Sequence, residues 1–308
     1  MANPVTDDEN PGLAEVSRSF DSLSFRSPPV PLVRVVVKGY KVGALIGETS
    51  NYRIRRCTLP DGRLGIFKIA KTIENNPDLD REAFLLGEME RVAAEYEAAY
   101  AKTGPPEGSL LNYELCFPKL VESFVVDDES GGGRRANVLI FVNSTDDISA
   151  LVPAEQIISR DRVRVDPKTS VWIMGKLLKL LTFAHSMGIE IRSVTAENIL
   201  IEREKHYVMI FDWTHAIQHD GGITETEARQ EIADAAIVVL NLLEADFAEK
   251  LLLEDEQLTD DLYGDHLFEL AGGSESDAKN AHEQFYALID NLWPRGFHPY
   301  TSHSRKEE

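Results

Sequence analysis

The sequence predicts an α+β fold in which a strand-rich N-terminal part precedes a mostly helical C-terminal part. Short apolar runs bounded by turn signals such as Pro60-Asp61-Gly62 fill the region before residue 142. Longer stretches with helical spacing of apolar residues dominate from residue 171 onwards. A chain of 308 residues and 34.5 kDa can hold one two-lobed unit or two small domains.

The elements of the N-terminal part are predicted from the spacing of apolar residues and from the turn-forming residues between them. Predicted strands cover residues 41–46, 65–70, 118–126 and 137–142, and a long helix covers residues 79–102. The last two strands are joined by a Gly131-Gly132-Gly133 turn, which separates two apolar runs as a hairpin connection does.

The C-terminal part is predicted to contain three amphipathic helices and a short hairpin. The helices cover residues 171–185, 228–243 and 281–293, and the short strands cover residues 199–201 and 208–211. The first helix ends at Gly188, because glycine readily takes the left-handed conformation that ends helices. Asn198 precedes the first short strand and Asp212 follows the second. The hairpin would bring these oxygen ligands together, as magnesium-phosphate chemistry requires.

This hairpin and its flanks resemble the catalytic loop and metal motif of the protein-kinase superfamily, written H-R-D-L-x-x-x-N and D-F-G. The chain has Ile191-Arg192-Ser193-Val194-Thr195-Ala196-Glu197-Asn198 and Asp212-Trp213-Thr214 in these places. The resemblance implies a two-lobed kinase-like fold with a β-rich N-lobe (31–142) and a reduced, mostly helical C-lobe (143–302). It also implies weakly held ATP and Mg²⁺, with Asn198 and Asp212 as metal ligands and Arg192 kept in the catalytic loop.

Ser193 stands where the family has its catalytic aspartate, and a serine hydroxyl cannot act as a base near neutral pH. Glu190 and Glu197 flank it as alternative bases. The stretch between Asp212 and Asp234 is short and has no A-P-E sequence, so most of the platform for a protein substrate is missing. The Asp212-Trp213 pair in the D-F-G place also resembles the aminoglycoside phosphotransferases. Those enzymes keep the catalytic aspartate that this chain lacks.

Upstream motifs extend the resemblance to about residues 38–245. Gly47 resembles the start of the glycine-rich loop, Lys68 the phosphate-pairing lysine and Glu82 its helical partner, with Glu88 as the alternative. The resemblance also implies a gatekeeper at Ile140 and a hinge at Phe141 to Asn143, whose backbone groups would face an adenine. Asp146 or Asp147 would meet the ribose, Leu200 would be a further cofactor-binding residue, and Asp234 would accept the catalytic-loop amides.

The nucleotide site itself is degenerate. Thr49 and Tyr52 replace two of the three glycines, and side chains there obstruct the approach of backbone amides to phosphates. Ile66, two residues before the lysine, would crowd the adenine. An ion pair of Lys68 with Glu82 at an open cleft would contribute about 1 kcal/mol or less, so Lys68→Met should leave the fold intact.

Composition restricts the kinds of partner and the cellular compartment that we expect for this chain. A net charge of −20 and a pI near 4.8 argue against nucleic acid and anionic membranes as partners and leave a protein partner of unknown identity. Two cysteines and the lack of a signal peptide or apolar span predict a cytoplasmic protein. His215 and His219 invite a metal-site interpretation, but loop polarity explains them better.

The ends of the chain, residues 1–30 and 303–308, are polar and are expected to be disordered tails. The aromatic and proline-rich stretch at residues 294–300 is expected to pack on the C-terminal part, with partner docking as the alternative. The sequence as a whole predicts a pseudokinase: a regulatory or scaffolding module with weak ATP binding and little or no phosphoryl transfer. Two alternatives remain open, a divergent phosphotransferase or nucleotidyltransferase with a non-standard base, and a scaffold with an empty cleft.

Overall fold

The computed structural model describes residues 35–104, 110–127, 132–141, 150–252, 261–294 and 296–305. The fold is mixed α+β, with an antiparallel sheet and one long helix in the N-terminal half and mostly helices after it. We refer to residues 35–141 as the sheet region and to residues 150–305 as the helical region. The expected N-terminal tail, Asn143, Asp146 and Asp147 lie outside the described residues.

Six strands of the sheet region form one antiparallel sheet in the order β1-β2-β3-β4-β6-β5. The strands are β1 (Val35–Val37), β2 (Tyr40–Glu48), β3 (Tyr52–Thr58), β4 (Leu64–Ala70), β5 (Lys119–Asp127) and β6 (Gly133–Ile140). Six of the seven residues of β4 are buried, because both faces of this central strand are covered. Side chains alternate along a strand, so Lys68 and Ile66 share one face while Phe67 and Ile69 share the other.

The long helix α1 (Asn76–Ala101) covers the face of the sheet on which Lys68 lies. A proline at the start of the helix fixes its first turn, since proline tolerates this position. The buried positions recur at helical spacing and form one stripe, namely Leu79, Glu82, Leu85, Leu86, Met89 and Ala93. Glu82 is the charged member of this stripe, so the helix carries a carboxylate into the core.

The helical region contains α2 (Pro167–Ser186), α3 (Glu225–Leu242), α4 (Asp261–Ala271) and α5 (Ala278–Leu292). Helix α2 is the central element and packs against both α3 and α5. Its first turn is capped by Asp166, whose carboxylate accepts the Thr169 amide at 2.9 Å. Helix α3 begins with a capping box between Thr224 and Glu227.

Three small antiparallel sheets complete the helical region. They pair β10 (Ile199–Glu202) with β11 (Tyr207–Ile210) and β7 (Leu151–Pro153), β9 (Ile189–Glu190) with β12 (Ile217–Gln218), and β8 (Val163–Val165) with β13 (Ser302–Ser304). The β10–β11 register places Ile199 opposite Ile210, and the Phe211 amide donates to the Asn198 carbonyl at 3.1 Å. The predicted hairpin is therefore present, and Asn198 and Asp212 flank its open end.

An aromatic cluster joins the two regions beneath this hairpin. Phe183 of α2 stacks on Tyr113 at 4.5 Å between ring centroids and on Phe117 at 6.0 Å. Phe117 meets the edge of Trp213, which is fully buried and donates its indole N–H to the Ile210 carbonyl at 2.9 Å. The sheet and helical regions thus share one continuous core.

Some expectations for the C-terminal part need correction. Helix α4 and strands β7, β8 and β13 were not predicted. The disordered tail expected from residue 303 is wrong for His303 and Ser304, which pair with Arg164 and Val163. The 297–300 part of the aromatic stretch packs on the helical region, where Phe297 stacks on His206.

Within the described ranges, no helix is both long and apolar enough to cross a membrane.

Gly188 provides a test of the helix end. It has φ of +70°, and an added Cβ would lie 2.7 Å from the His219 carbonyl oxygen. Gly188→Ala should therefore destabilise the protein by about 1–2 kcal/mol or more, measured by urea unfolding. Gly87→Ala, in α1 with open space around it, should be neutral or stabilising by up to about 1 kcal/mol. Equal effects of the two substitutions would contradict this assignment of strain.

Candidate functional site

The structure brings Lys68, Glu82, Ser193, Asn198 and Asp212 into one polar cluster between the sheet and helical regions. These residues come from β4, α1, the loop before β10 and the loop after β11. Ser193 is 6% exposed, and the other four side chains have no exposed surface. We call this set, with Tyr52, the buried cluster.

Lys68 lies between two carboxylates. Its Nζ is 2.6 Å from Glu82 Oε1 and 2.7 Å from Asp212 Oδ1, and it lies 4.2 Å from the centre of the Tyr52 ring. The other Glu82 oxygen accepts a hydrogen bond from Asn137 Nδ2 at 3.0 Å. The expected Lys68–Glu82 pair is therefore present, and Lys68 also binds the aspartate of the metal motif.

The carboxylate of Asp212 is fully engaged by protein groups. Besides Lys68, its Oδ1 accepts from the Thr214 amide at 3.0 Å and the Thr214 hydroxyl at 2.8 Å. Its Oδ2 accepts from the Tyr52 hydroxyl. Burial alone would raise the pKa of Asp212, but the attraction of Lys68 and the bonds from Lys68 and Tyr52 lower this pKa to about 2. Asp212 is thus a stable buried anion.

The pKa values of Glu82 and Tyr52 shift in the opposite direction. Burial raises the pKa of Glu82, and the nearby charge of Lys68 offsets only part of that rise. Burial and the negative charge of Asp212 raise the pKa of the Tyr52 hydroxyl well above its usual value. Tyr52 therefore stays protonated and keeps its role as a hydrogen-bond donor to Asp212.

Asn198 cross-links the loop before β10 to the loop after β11. Its Oδ1 accepts the Asp212 amide at 2.6 Å, and its Nδ2 donates to the Ser193 carbonyl at 2.9 Å and the Asp212 carbonyl at 3.0 Å. The Ser193 hydroxyl lies 3.2 Å from the Asp212 carbonyl, to which it donates. The amide oxygen that could bind a metal is thus already a hydrogen-bond acceptor within the protein.

Other predicted site residues lie outside the buried cluster. The Arg192 side chain points away from it and pairs with Glu190 at 2.8 Å. Leu200 and Phe141 are packed in the core, where the Phe141 ring lies 6.1 Å from that of Phe211. Gly47 is a strand residue of β2, opposite Ile54.

The acceptor for the loop amides is Glu231, and the expectation that Asp234 has this role is wrong. Glu231 Oε1 accepts from the Ile191 amide at 2.5 Å and the Arg192 amide at 2.7 Å, and its Oε2 lies 2.9 Å from His185 Nε2. Asp234 instead bonds the Gln230 side chain on its own helix. The two acids lie three positions apart, and the rotation of α3 decides which one faces the loop.

A second polar group surrounds Glu190. The side-chain atoms of Glu190, His219 and Glu227 lie within 4.8 Å of one another, a spacing that could hold a metal ion. Both Arg192 and His219 already contact Oε2 of Glu190, and Thr224 donates to Glu227 from its amide and hydroxyl. His219 thus has a polar partner, Glu190, within the protein.

The burial of Lys68 changes the energetic expectation for its ion pair. The value of about 1 kcal/mol or less applies to an exposed pair, whereas Lys68, Glu82 and Asp212 have no exposed side-chain surface. Removing one partner from a buried group of charges leaves the others unpaired in a medium of low polarity. The sequence identified the pair but gave no measure of its burial.

The sequence matches no model of a known protein family, and a search of curated proteins finds no match. The function must therefore be argued from the geometry of the buried cluster and of the surfaces around it.

Substitutions of Glu231 and Asp234 test which acid accepts the loop amides. Glu231→Ala should lower the free energy of unfolding by about 3 kcal/mol, because it leaves the buried Ile191 amide and the part-buried Arg192 amide without an acceptor. Asp234→Asn should change this free energy by less than about 1 kcal/mol. Urea unfolding followed by circular dichroism measures both, and a larger loss for Asp234→Asn would overturn the assignment.

Lys68→Met tests the buried cluster directly. It should lower the free energy of unfolding by about 3–5 kcal/mol, because Glu82 and Asp212 would lose their shared cation. Arg91→Met removes an exposed cation that pairs with Glu88 and Glu95 on α1, and it should leave the urea midpoint almost unchanged. A small effect of Lys68→Met would indicate that the cluster is open to water.

Proposed function

We propose that the protein is a pseudokinase-type regulatory or scaffolding module that binds a protein partner and transfers little or no phosphate. The observation that carries the proposal is the buried cluster, in which Lys68, Asn198 and Asp212 bond to each other, to Tyr52 and to nearby main chain. These are the residues that would hold ATP and Mg²⁺ in a kinase-like site. In this chain they connect parts of the protein instead.

The fold supports a kinase-like arrangement of two lobes. The chain has a six-stranded antiparallel sheet with one long helix, followed by a helical part that contains a short hairpin. This order of elements matches that of the protein-kinase superfamily. The sheet region would be the N-lobe and the helical region the C-lobe. The Lys68–Glu82 pair between β4 and α1 supports this assignment.

The geometry favours weak ATP binding at most. Magnesium at Asp212 and Asn198 would have to displace Tyr52, Lys68 or the Asp212 amide from their acceptors. A hydrogen bond to a charged group contributes about 1.5–3 kcal/mol, so the loss of two such bonds would weaken binding by roughly two to four orders of magnitude. A scaffold with a closed cleft is therefore favoured over a nucleotide sensor.

Phosphoryl transfer is also disfavoured by the position of Ser193. Its hydroxyl donates to the carbonyls of Ile191 and Asp212, and it is buried. Glu190, the nearest alternative base along the chain, is already bonded to Arg192 and His219. The loss of a positioned base alone reduces a rate by about 10²- to 10⁴-fold.

A divergent phosphotransferase is the second candidate. The observation that favours it is that Lys68, Glu82, Asn198 and Asp212 meet at one place, as the chemistry would require. Phosphoryl transfer depends largely on positioning and electrostatics, so a rearranged cluster with Mg²⁺ could still support it.

Thermal unfolding with millimolar ATP, with and without Mg²⁺, tests the proposal. We expect no change in Tm and no transfer from radiolabelled ATP. Saturation at a hundred times the Kd would stabilise the protein by about 2.7 kcal/mol and raise Tm by several degrees.

The control in this experiment is Asp212→Asn. A ligand-dependent rise in Tm that appears in the wild type and disappears in this variant would show that nucleotide reaches the cluster. Turnover lost in the same variant would establish the phosphotransferase instead.

A further inference from the structure

A groove of about 970 Å³ lies between α2 and α5, on the helical region and away from the buried cluster. The segment around Leu111 and Tyr113, the turn at Lys205 and His206, and residues 296–298 complete its walls. No residue of the buried cluster lines this groove, and its lining combines lysines with aromatic side chains.

Helix α2 presents a stripe of residues to the groove at helical spacing. Lys168, Trp172, Lys176 and Lys179 all line it, and they recur every three or four positions. The opposite face of the helix is apolar and lies in the core, as the burial of Ile173, Leu177 and Leu181 shows. The same helix therefore separates an apolar face toward the core from a cationic face toward the groove.

The groove is basic although the chain is strongly acidic. Four lysines line it, Lys168, Lys176, Lys179 and Lys205, against two acids, Glu283 and Asp290. The whole chain has a net charge of −20. Within the described ranges, neither Lys168 nor Lys176 has an ion pair. The positive charge of the groove is thus a local reversal on an otherwise negative protein.

Lys176 lies at the centre of this local charge. Burial lowers the pKa of His282, and the charges of Lys179 and Lys176 lower it further. Burial also lowers the pKa of His206; the charge of Glu202 opposes this shift, and the charge of Lys176 adds to it. Burial is the main cause of both shifts, and the charge of Lys176 acts on both histidines.

The groove also has an aromatic edge. His206 lies between Trp172 at 4.7 Å and Phe297 at 4.5 Å, with the three rings nearly parallel. Phe297 is 75% exposed, so the outer face of this stack is open to solvent. Ile289 and Trp293 of the opposite wall add apolar surface. Such a surface favours aromatic or aliphatic side chains beside the charged ones.

We infer that this groove docks an acidic segment of a partner protein that carries an aromatic or aliphatic side chain. The inference rests on the proposed binding function and specifies its surface. Charge complementarity carries it, because the lysines select acidic groups while the Trp172–His206–Phe297 stack accepts an apolar side chain. The net charge of −20 of the whole chain disfavours a long nucleic acid as the occupant.

Selection from a library of random peptides on the immobilised full-length protein tests the inference. Peptides that are enriched in Asp and Glu and contain an aromatic or aliphatic residue are expected, with affinities that fall as salt is raised. Lys176→Glu should weaken the selected peptides by at least about tenfold in Kd. Lys41→Glu, at an exposed position on β2, makes the same charge change far along the chain and should leave Kd unchanged.

Other outcomes would overturn the inference. These are a selection without acidic enrichment, a selection that yields no binder, or equal weakening by both charge reversals. Lys176→Ala, which removes the charge without reversing it, should give a smaller loss of affinity and serves if Lys176→Glu fails to fold. The result is independent of the nucleotide experiment, since that experiment reports on Lys68 and Asp212 and this one reports on α2 and α5.

Discussion

The structure depends on one buried cation, Lys68, which lies between the carboxylates of Glu82 and Asp212. These two buried carboxylates share one cation, so neutral donors must also satisfy their hydrogen-bonding capacity. Tyr52 and Asn137 supply those hydrogen bonds from β3 and β6. A buried ion is tolerated only when its charge and its hydrogen-bonding capacity are both satisfied, so the sheet, α1 and the loop after β11 are fixed relative to one another.

This constraint gives a structural reason for residue types that otherwise suggest catalysis. A lysine, a glutamate, an asparagine and an aspartate at kinase-like spacing are what ATP and Mg²⁺ would require. They are also what is needed to join a strand, a helix and two loops through one buried network. Tyr52 separates the two interpretations, because its hydroxyl bonds the aspartate at a place where a glycine would have left the carboxylate accessible.

The sequence predicted the features that depend on local spacing. The helix end at Gly188 and the β10–β11 hairpin follow from short-range patterns. It could not decide between Glu231 and Asp234, since both acids lie on α3 and only its packing orients them. Strand β13 depends on pairing with β8 more than a hundred positions earlier, which no local pattern records. Burial of Lys68 likewise arises from tertiary packing.

Helix α2 connects the buried core to the proposed docking groove. Its apolar face supports the aromatic cluster through Phe183, and its lysine stripe lines the groove. The packing of α2 in the core makes this helix a rigid base for the proposed binding surface. A rigid surface loses little conformational entropy on docking, so its affinity depends on complementarity. On a chain of net charge −20, a local cluster of lysines provides that complementarity for acidic segments.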